Sequence, residues 1–203
     1  RGEENIVTVC AIDGHPKGKA SGKQSKNYYS MGCDYTRTTG IWQTVWMEPV
    51  NKNALERTQV TTDIDQNIIT VQPKFYAQTK GTFTVTVKKK KKTVATKTVP
   101  AHDGTNVVLP IKKPKLWSPS SPFLYDVVYE VKDSEGNITD VVNSYVGMRK
   151  IHVEGNKVYL NNEPFYQRLV LDQGFYPDGI WTAPSDEALK HDIELSMAAG
   201  FNG

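Results

Sequence analysis

The sequence predicts a mainly β fold, with an immunoglobulin-like antiparallel β-sandwich in its middle and a short α/β segment at its end. Turn residues recur between short strand-like stretches from Asn51 to Val146, and no 3.6-residue periodicity interrupts them. A stretch of about 100 residues with this pattern is typical of an immunoglobulin-like sandwich. A helical pattern begins only after Ser185. Two architectures are therefore expected in one chain.

The composition is that of a globular protein and excludes several functional classes. Of 203 residues, 38% are hydrophobic and 23% are charged, which is enough apolar material for a core. The net charge of +3 is too small to indicate a nucleic-acid or membrane partner. No stretch approaches the roughly 20 apolar residues of a membrane helix. The sequence begins at Arg1, so a signal peptide could have been cleaved or could lie upstream without leaving a trace, and the compartment stays open.

The cysteines and histidines predict no metal, cofactor or disulfide framework. Cys10 and Cys33 are the only cysteines, and no histidine lies near them at metal-ligand spacing. We expect both to be buried or semi-buried free thiols, because cysteine behaves as a small hydrophobe. The four histidines are scattered and are expected to lie at the surface.

The first fifty residues have the chemistry of two strands separated by a long loop. Asn5 to Ile12 and Tyr35 to Val50 are rich in β-branched and aromatic residues, whereas Asp13 to Lys26 is rich in glycine, lysine and serine. Isolated hairpins are marginal in water. We therefore expect these residues to be the trailing part of a larger β domain.

Six strands of the sandwich are predicted from alternation and turn signals. Glycine, proline and asparagine clusters separate them, as in the turn from Ser134 to Asn137. The predicted strands are Ile68 to Val71, Phe83 to Val87, Val94 to Val99, Val107 to Ile111, Tyr125 to Val131 and Val141 to Val146.

A run of five lysines, Lys88 to Lys92, separates two of these strands. Such a run is compatible with binding a polyanion. The simpler interpretation is a solvated hairpin tip, because lysine keeps sheet edges soluble and no aromatic residues interleave to stack on bases. We favour the solvated tip.

The last segment predicts a hairpin, a buried strand, a loop and a capped helix. Ile151 to Leu160 forms the hairpin, and the apolar stretch Tyr166 to Leu171 predicts a buried parallel strand. The loop that follows is rich in aromatic residues. Ser185 is a suitable N-cap, and a stripe of Leu189, Ile193 and Met197 predicts a helix that faces a sheet and ends at Gly200. One strand and one helix cannot bury a parallel sheet, so we expect a larger α/β body.

Four stretches together resemble glycoside hydrolase family 2, the family of β-galactosidases and β-glucuronidases. They occur in the family's order and span nearly the whole chain. They are Asp34 to Trp46, Leu116 to Pro119 with Leu124 and Tyr125, Ser144 to Ile151, and Leu171 to Gly179.

The resemblance implies three domains and a role in glycoside hydrolysis. Residues 1–50 would be the end of a jelly-roll sugar-binding domain, 51–147 the sandwich, and 148–203 the first strand and helix of a TIM barrel. The family hydrolyses β-glycosides with retention through two glutamates on late barrel strands. Glu187 and Glu194 belong to the predicted helix, outside such a barrel. The resemblance therefore implies no catalytic residue and no hydrolysis by this chain alone.

The resemblance also implies three substrate-binding residues. Asp34 precedes Gly40 by six positions, as does a family aspartate that reaches the sugar site, and a carboxylate can accept two sugar hydroxyls. The alternative is a turn aspartate bonded to nearby backbone. Asp172 and Gln173 follow the predicted strand at its carboxyl end, where they either bind sugar or shape the loop. Leu169 stands where the family often has glycine, which weakens the assignment of Asp172.

Two other functions are compatible with the residues. A free-standing carbohydrate-binding or adhesion sandwich would have no enzymatic activity, and a structural spacer would bind no sugar through residues 51–147. The apolar faces predicted at both ends would be exposed, so association into a homo-oligomer, or disorder there, is expected.

Overall fold

The computed structural model describes residues 6–12, 22–41, 43–77 and 80–203. The chain forms two compact units. The sandwich unit comprises Glu48–Leu169 and Phe201–Gly203, and the loop–helix unit comprises Arg1–Met47 and Val170–Gly200. No helix among the described residues is long and apolar enough to cross a membrane.

The sandwich consists of two antiparallel sheets. In the described residues, one sheet has the order β1-β2-β5 and the other the order β4-β3-β6-β7. The mainly β, sandwich-type fold predicted from the sequence is confirmed. The strands are β1 (Leu55–Asp63), β2 (Ile68–Phe75), β3 (Thr82–Lys89), β4 (Lys92–Pro100), β5 (Val107–Pro110), β6 (Tyr125–Lys132) and β7 (Ile138–Val146).

Alternating side chains from both sheets form the core. In β3 and β6 every second residue is buried, because successive side chains of a strand point to opposite faces. Phe83 lies between Phe75 and Tyr129, with ring centroids 5.7 and 5.8 Å away. The fully buried residues include Ile69, Val71, Phe83, Val85, Val87, Val107, Tyr125, Val127, Tyr129 and Val131.

Strand β1 was not predicted from the sequence. Its residues, Leu55–Asp63, are mostly polar, and only Leu55 is buried. The reason is its position at the edge of a sheet, where one neighbour, β2, supplies the backbone hydrogen bonds and little side-chain burial is needed. Alternation of apolar residues is therefore weak in this strand.

The lysine run lies at a hairpin tip, as predicted. Strands β3 and β4 are joined by Lys90 and Lys91, and Lys90 has a positive φ of 54°. Lys89 to Lys92 are exposed.

A small three-stranded sheet follows the sandwich. It contains β8 (Ile151–Glu154), β9 (Lys157–Leu160) and β10 (Glu163–Pro164) in the order β10-β9-β8. The predicted turn at Gly155, with a φ of 56°, is observed. His152, expected at the surface, is instead half-buried and stacks on Tyr159 at 5.0 Å. The aromatic neighbour on the adjacent strand explains this difference.

Four polar residues connect this small sheet to the sandwich. Asp65, in the turn between β1 and β2, accepts hydrogen bonds from Lys150 Nζ and from Asn162 Nδ2, the latter at 2.7 Å. Asn161 Nδ2 donates to the carbonyl of Trp117 at 2.9 Å. The donors around Asp65, Lys150 first and then Asn162, lower the pKa of its carboxyl group.

The Asp65 contacts predict an acid-dependent contribution to stability. Folding lowers the pKa of the Asp65 carboxyl below its ordinary value of 3.8, so the ionised group stabilises the protein fully above that pH. This stabilisation is lost as the pH falls through the lower pKa of the folded state. We expect Asp65→Asn to lower Tm slightly at pH 7 and the difference from wild type to shrink below about pH 4. Thermal unfolding from pH 7 to acid measures this, with the exposed Asp126→Asn as control. A difference independent of pH would contradict this role.

Among the described residues, three predicted strands are not formed; Asn5 and Trp42, which belong to two of these predictions, lie outside the described residues. Residues 6–12 and 36–41 have no regular structure, and Tyr35 makes only a short parallel bridge to Gln24. Tyr166 to Leu171, predicted as a buried parallel strand, is also irregular, and Leu171 is 81% exposed. A strand requires a continuous ladder of hydrogen bonds to a neighbouring strand. The backbone bonds at these segments, from Arg37 to Asn27 at 3.1 Å and from Asn202 to Arg168 at 2.8 Å, build no such ladder in the described residues.

Helix α1 (Asp186–Ala198) has the predicted caps but not the predicted packing. Ser185 Oγ accepts a hydrogen bond from the backbone of Ala188, and Gly200, with a φ of 90°, follows the helix end. None of the helix residues is buried, so the stripe of Leu189, Ile193 and Met197 faces no sheet in the described chain. The expected exposure of apolar faces is thus observed.

Both cysteines are free, as predicted, but they are exposed rather than buried. Cys10 lies in an irregular segment and Cys33 in the turn between Met31 and Asp34.

Candidate functional site

Asp34 lies at the end of a tight turn in the loop–helix unit. The backbones of Met31 and Asp34 exchange two hydrogen bonds of 3.1 Å, and Gly32 has the positive φ, 62°, that the turn requires. Asp34 is half-buried, yet its carboxylate makes no hydrogen bond or ion pair within the part of the chain that the structure describes. The turn is held by backbone groups, so the carboxylate is available to a ligand.

Gln173 is oriented by two donors from the other segment of the same unit. Tyr35 Oη donates to Gln173 Oε1 at 2.6 Å, and Lys23 Nζ donates to the same oxygen at 3.2 Å. Tyr35 and Lys23 are adjacent, because the Tyr35 N–H donates to the Lys23 carbonyl at 2.7 Å. With its oxygen engaged, Gln173 presents its two amide N–H donors. These are suited to a hydroxyl or carbonyl oxygen.

An aromatic cluster holds the two segments together. The ring of Tyr35 stacks on Phe175 with centroids 4.3 Å apart and 17° between the planes. Trp181 contacts both rings edge-on, at 5.3 and 5.9 Å. Such pairs contribute about 0.5–1.5 kcal/mol each beyond their buried area. The cluster fixes the tyrosine that orients Gln173.

Asp172 shapes the loop. Its Oδ1 accepts a hydrogen bond from the N–H of Gly174 at 2.7 Å, and Gly174 has a φ of 63°. This is an Asx-type turn, in which an aspartate bonds the backbone two residues further on. One oxygen of this exposed side chain is therefore engaged structurally, and the other has no hydrogen-bond partner among the described residues.

The hydroxyl of Tyr176 remains protonated close to this loop. Desolvation, together with the carboxylates of Asp192 and Asp172, raises the pKa of Tyr176. The hydroxyl donates to Asp192 Oδ2 on helix α1 at 3.4 Å. This bond connects the loop to the middle of the helix.

The three residues predicted from the sequence thus lie in one unit. Gln173 contacts Tyr35, the residue next to Asp34, while Asp172 supports the turn behind Gln173. Sequence reasoning missed Lys23 and the orienting role of Tyr35. No sequence signal identifies Lys23, because it lies in a loop rich in lysine and serine. Within the described residues, no group of three metal-ligating side chains is present.

The fold and the cluster define a modular β-sandwich protein with a candidate ligand site. Residues 43–149 match the family model of Glycosyl hydrolases family 2. This match covers more than half of the chain, which therefore belongs to that family. The matched region is mainly the sandwich, so Asp34, Asp172 and Gln173 lie outside it.

Similar proteins agree with this assignment. A β-galactosidase of Leuconostoc mesenteroides is 26% identical over 226 residues, covering 100% of this chain and 20% of that protein. A β-galactosidase of Vibrio cholerae is 31% identical over 101 residues, covering 50% of this chain and 10% of that protein. The chain thus spans a fifth or less of the length of these two relatives.

Solved structures support the fold. A β-glucuronidase from Ruminococcus gnavus in complex with D-glucuronic acid has a TM-score of 0.62 and 19% identity, covering 73% of this chain and 25% of that chain. A β-glucuronidase from Lactobacillus rhamnosus has a TM-score of 0.61 and 20% identity, covering 72% of this chain and 24% of that chain.

Proposed function

We propose that this chain is a non-catalytic part of a retaining β-glycosidase of the β-galactosidase type, which hydrolyses O-glycosidic bonds in carbohydrate metabolism. The observation that carries the proposal is the half-buried Asp34 carboxylate, which has no partner among the described residues and immediately precedes the tyrosine that orients Gln173. Family membership and the similarity of the whole chain to a fifth of a β-galactosidase support it.

Each site residue has a distinct role in this proposal. Asp34 accepts hydrogen bonds from two sugar hydroxyls, which a carboxylate does bidentately. Gln173 donates from its amide nitrogen, because its oxygen is already occupied by Tyr35 and Lys23. Asp172 positions Gln173 through the turn at Gly174 and offers its second oxygen to the substrate.

The domain division predicted from the sequence is part of the proposal. Residues 1–50 contribute Asp34 as the end of a jelly-roll domain, residues 51–147 are the sandwich, and residues 148–203 contribute Asp172 and Gln173 at the start of a barrel. The partner of the whole enzyme is a β-glycoside, with no nucleic acid and no membrane involved. A homo-oligomer would cover the exposed apolar residues of α1.

The chain itself supplies no catalytic pair in this scheme. Retaining hydrolysis requires two carboxyl groups about 5 Å apart, one as acid/base and one as nucleophile. Glu187 and Glu194 both lie on α1, seven positions apart on one helix. Among the described residues, neither forms a hydrogen bond with Gln173, whose side-chain oxygen is bonded by Tyr35 and Lys23. The catalytic pair belongs to later barrel strands.

Hydrolysis assays with two protein lengths test the proposal. We expect the 203-residue chain to leave chromogenic β-galactoside and β-glucuronide intact, and a form extended through the rest of the barrel to cleave one of them. Activity of the short chain would contradict the absence of a catalytic pair. An extended protein that binds saccharide without cleaving any β-glycoside would favour the binding-module alternative.

A further inference from the structure

Two segments of the sandwich unit concentrate positive charge. Lys88 to Lys92 and Lys112 to Lys115 together contain eight lysines and no acidic residue. Because the whole chain carries a net charge of only +3, the rest of it is net acidic. Lys88 is half-buried, and the other lysines of both segments are exposed. The positive charge is therefore gathered in these segments rather than spread over the chain.

The ring of Phe123 brings the two segments together. Lys89 Nζ lies 5.8 Å from the ring centroid, and Lys115 Nζ lies 4.9 Å from the same centroid. Contacts of Tyr125 support this placement, because its Oη accepts a hydrogen bond from the N–H of Lys115 at 2.7 Å and its ring packs edge-on against Phe123 at 4.9 Å. We call Lys88 to Lys92, Lys115 and Phe123 the lysine patch.

The amines of the lysine patch have no anionic partner within the described residues. No ion pair and no side-chain hydrogen bond engages any of them there. The strand register places the exposed Asp126 opposite Lys88, but a single carboxylate does not balance six cations. An anionic ligand would therefore gain charge pairs without displacing an internal one.

The arrangement of the lysine patch costs stability. Lys89 and Lys92 lie directly opposite each other across β3 and β4, where like charges repel. Lys90 has a φ of 54°, in the left-handed region that hairpin turns usually fill with asparagine or glycine. A turn that only has to remain solvated needs neither opposed lysines nor a lysine at this position. Departures from local preference of this kind are concentrated at functional sites.

The side chains of the lysine patch discriminate between polyanions. The patch contains six lysines and no arginine, whereas arginine is the preferred residue for nucleic-acid recognition. Phe123 is half-buried and its ring already contacts two amines and Tyr125, so it is not available to stack on a base. A lysine amine has three donors on a flexible stem and bonds separate carboxylates in many orientations. A polymer with carboxylates on successive units suits these groups.

We propose that the lysine patch is a docking surface for an acidic polysaccharide that carries carboxylate groups. The choice of a polysaccharide over other polyanions rests on the function proposed above. The amines replace counterions of the polymer, and release of these counterions drives association. The proposal gives the sandwich unit a binding role of its own, whereas Asp34, Asp172 and Gln173 belong to the loop–helix unit.

Titration of the 203-residue chain with fluorescently labelled polygalacturonate tests this assignment. Anisotropy measurements at two salt concentrations give the affinity and its salt dependence. We expect binding in about 50 mM NaCl that is at least roughly tenfold weaker in about 200 mM NaCl, because the contacts are between exposed charges. Labelled dextran, a neutral polysaccharide, should not bind.

A triple variant removes the charge of the lysine patch. Lys89→Gln, Lys91→Gln and Lys115→Gln together should weaken binding of polygalacturonate by about tenfold or more at low salt and reduce its salt dependence. Arginine at the same three positions should retain binding, because it keeps the charge. The three side chains are exposed, so the Tm of the glutamine variant should not fall.

A second triple variant separates the lysine patch from the net charge of the chain. It replaces three exposed lysines outside the patch by glutamine and removes the same charge, so binding should weaken less than about twofold. These control positions are Lys52, Lys157 and Lys190. Equal weakening by both glutamine variants, binding insensitive to salt, or no binding of polygalacturonate would each overturn the proposal.

Other polyanions are compared under the same conditions. Duplex DNA, and vesicles of phosphatidylserine and phosphatidylcholine, should bind more weakly than polygalacturonate. Binding of either one as tightly as polygalacturonate would overturn the assignment of a polysaccharide to this surface.

The hydrolysis assay separates this inference from the proposed function. An extended protein that cleaves a chromogenic β-galactoside while the chain fails to bind polygalacturonate would refute the docking surface alone. Binding that depends on the lysine patch, without any hydrolysis by the extended protein, would refute the glycosidase function and leave the docking surface standing.

Discussion

Replacing Asp34 by alanine in the extended, active form of the protein is expected to lower kcat/KM for a β-galactoside by roughly 10- to 100-fold. Hydrogen bonds to a charged group contribute about 1.5–3 kcal/mol, and each 1.4 kcal/mol corresponds to a factor of ten. The Asp34 carboxylate bonds no described residue, so its loss should leave folding intact. Steady-state kinetics and Tm of the same samples measure both effects.

Two further variants show what the Asp34 result means. Asp34→Asn retains hydrogen-bonding capacity but loses the charge and one of the two acceptor oxygens. An activity between those of wild type and Asp34→Ala would identify bidentate acceptance by the carboxylate. Asp126→Ala removes an exposed carboxylate from the outer face of the sandwich and should change nothing. Full activity of Asp34→Ala would exclude this residue from substrate binding.

Phe83→Ala is expected to destabilise the sandwich by about 3–5 kcal/mol, the usual cost of deleting a buried phenylalanine side chain. Phe83 is fully buried between Phe75 and Tyr129, and its removal leaves a cavity between the two sheets. A loss of this size approaches the whole stability of a small domain. Denaturant unfolding, combined with hydrogen exchange in β3 and β6, gives the value.

Tyr145→Ala is the matched control for this substitution. Tyr145 is also an aromatic residue of a sandwich strand, but it is exposed on β7. Its replacement should cost at most about 1 kcal/mol, the range of strand propensities. Equal destabilisation by the two substitutions would mean that the core does not lie where Phe83, Phe75 and Tyr129 meet.

Local patterns were sufficient to predict the sandwich strands that carry the core. In β3 and β6 the alternation of residues such as Phe83 and Val85 or Val127 and Tyr129 is strict, because one face of each strand is buried. At the edge, β1 carries little apolar alternation and was missed. At Tyr166 to Leu171 the strand chemistry is present, but a strand forms only in a continuous ladder, and the bonds from Asn202 to Arg168 and Tyr166 do not build one.

The candidate site was predictable only in part, for a different reason. Asp34, Asp172 and Gln173 were identified from short motifs, each of which consists of a few consecutive residues. The bond from Tyr35 to Gln173 joins residues 138 positions apart, and nothing local to either residue indicates it. The structural use of the Asp172 oxygen depends on the φ of Gly174, which the motif alone does not give.

The long sequence separation of Tyr35 and Gln173 has a kinetic consequence. Closing a flexible loop of 138 residues costs on the order of 4 kcal/mol of chain entropy. The hairpins β1–β2, β3–β4 and β6–β7 join sequence neighbours and form without that cost. Once the sandwich has folded, most of the chain between Tyr35 and Gln173 is rigid and no longer behaves as a flexible loop. The pairing of Tyr35 with Gln173 is therefore a late folding event, and slow maturation of the site would follow from any substitution that delays the sandwich.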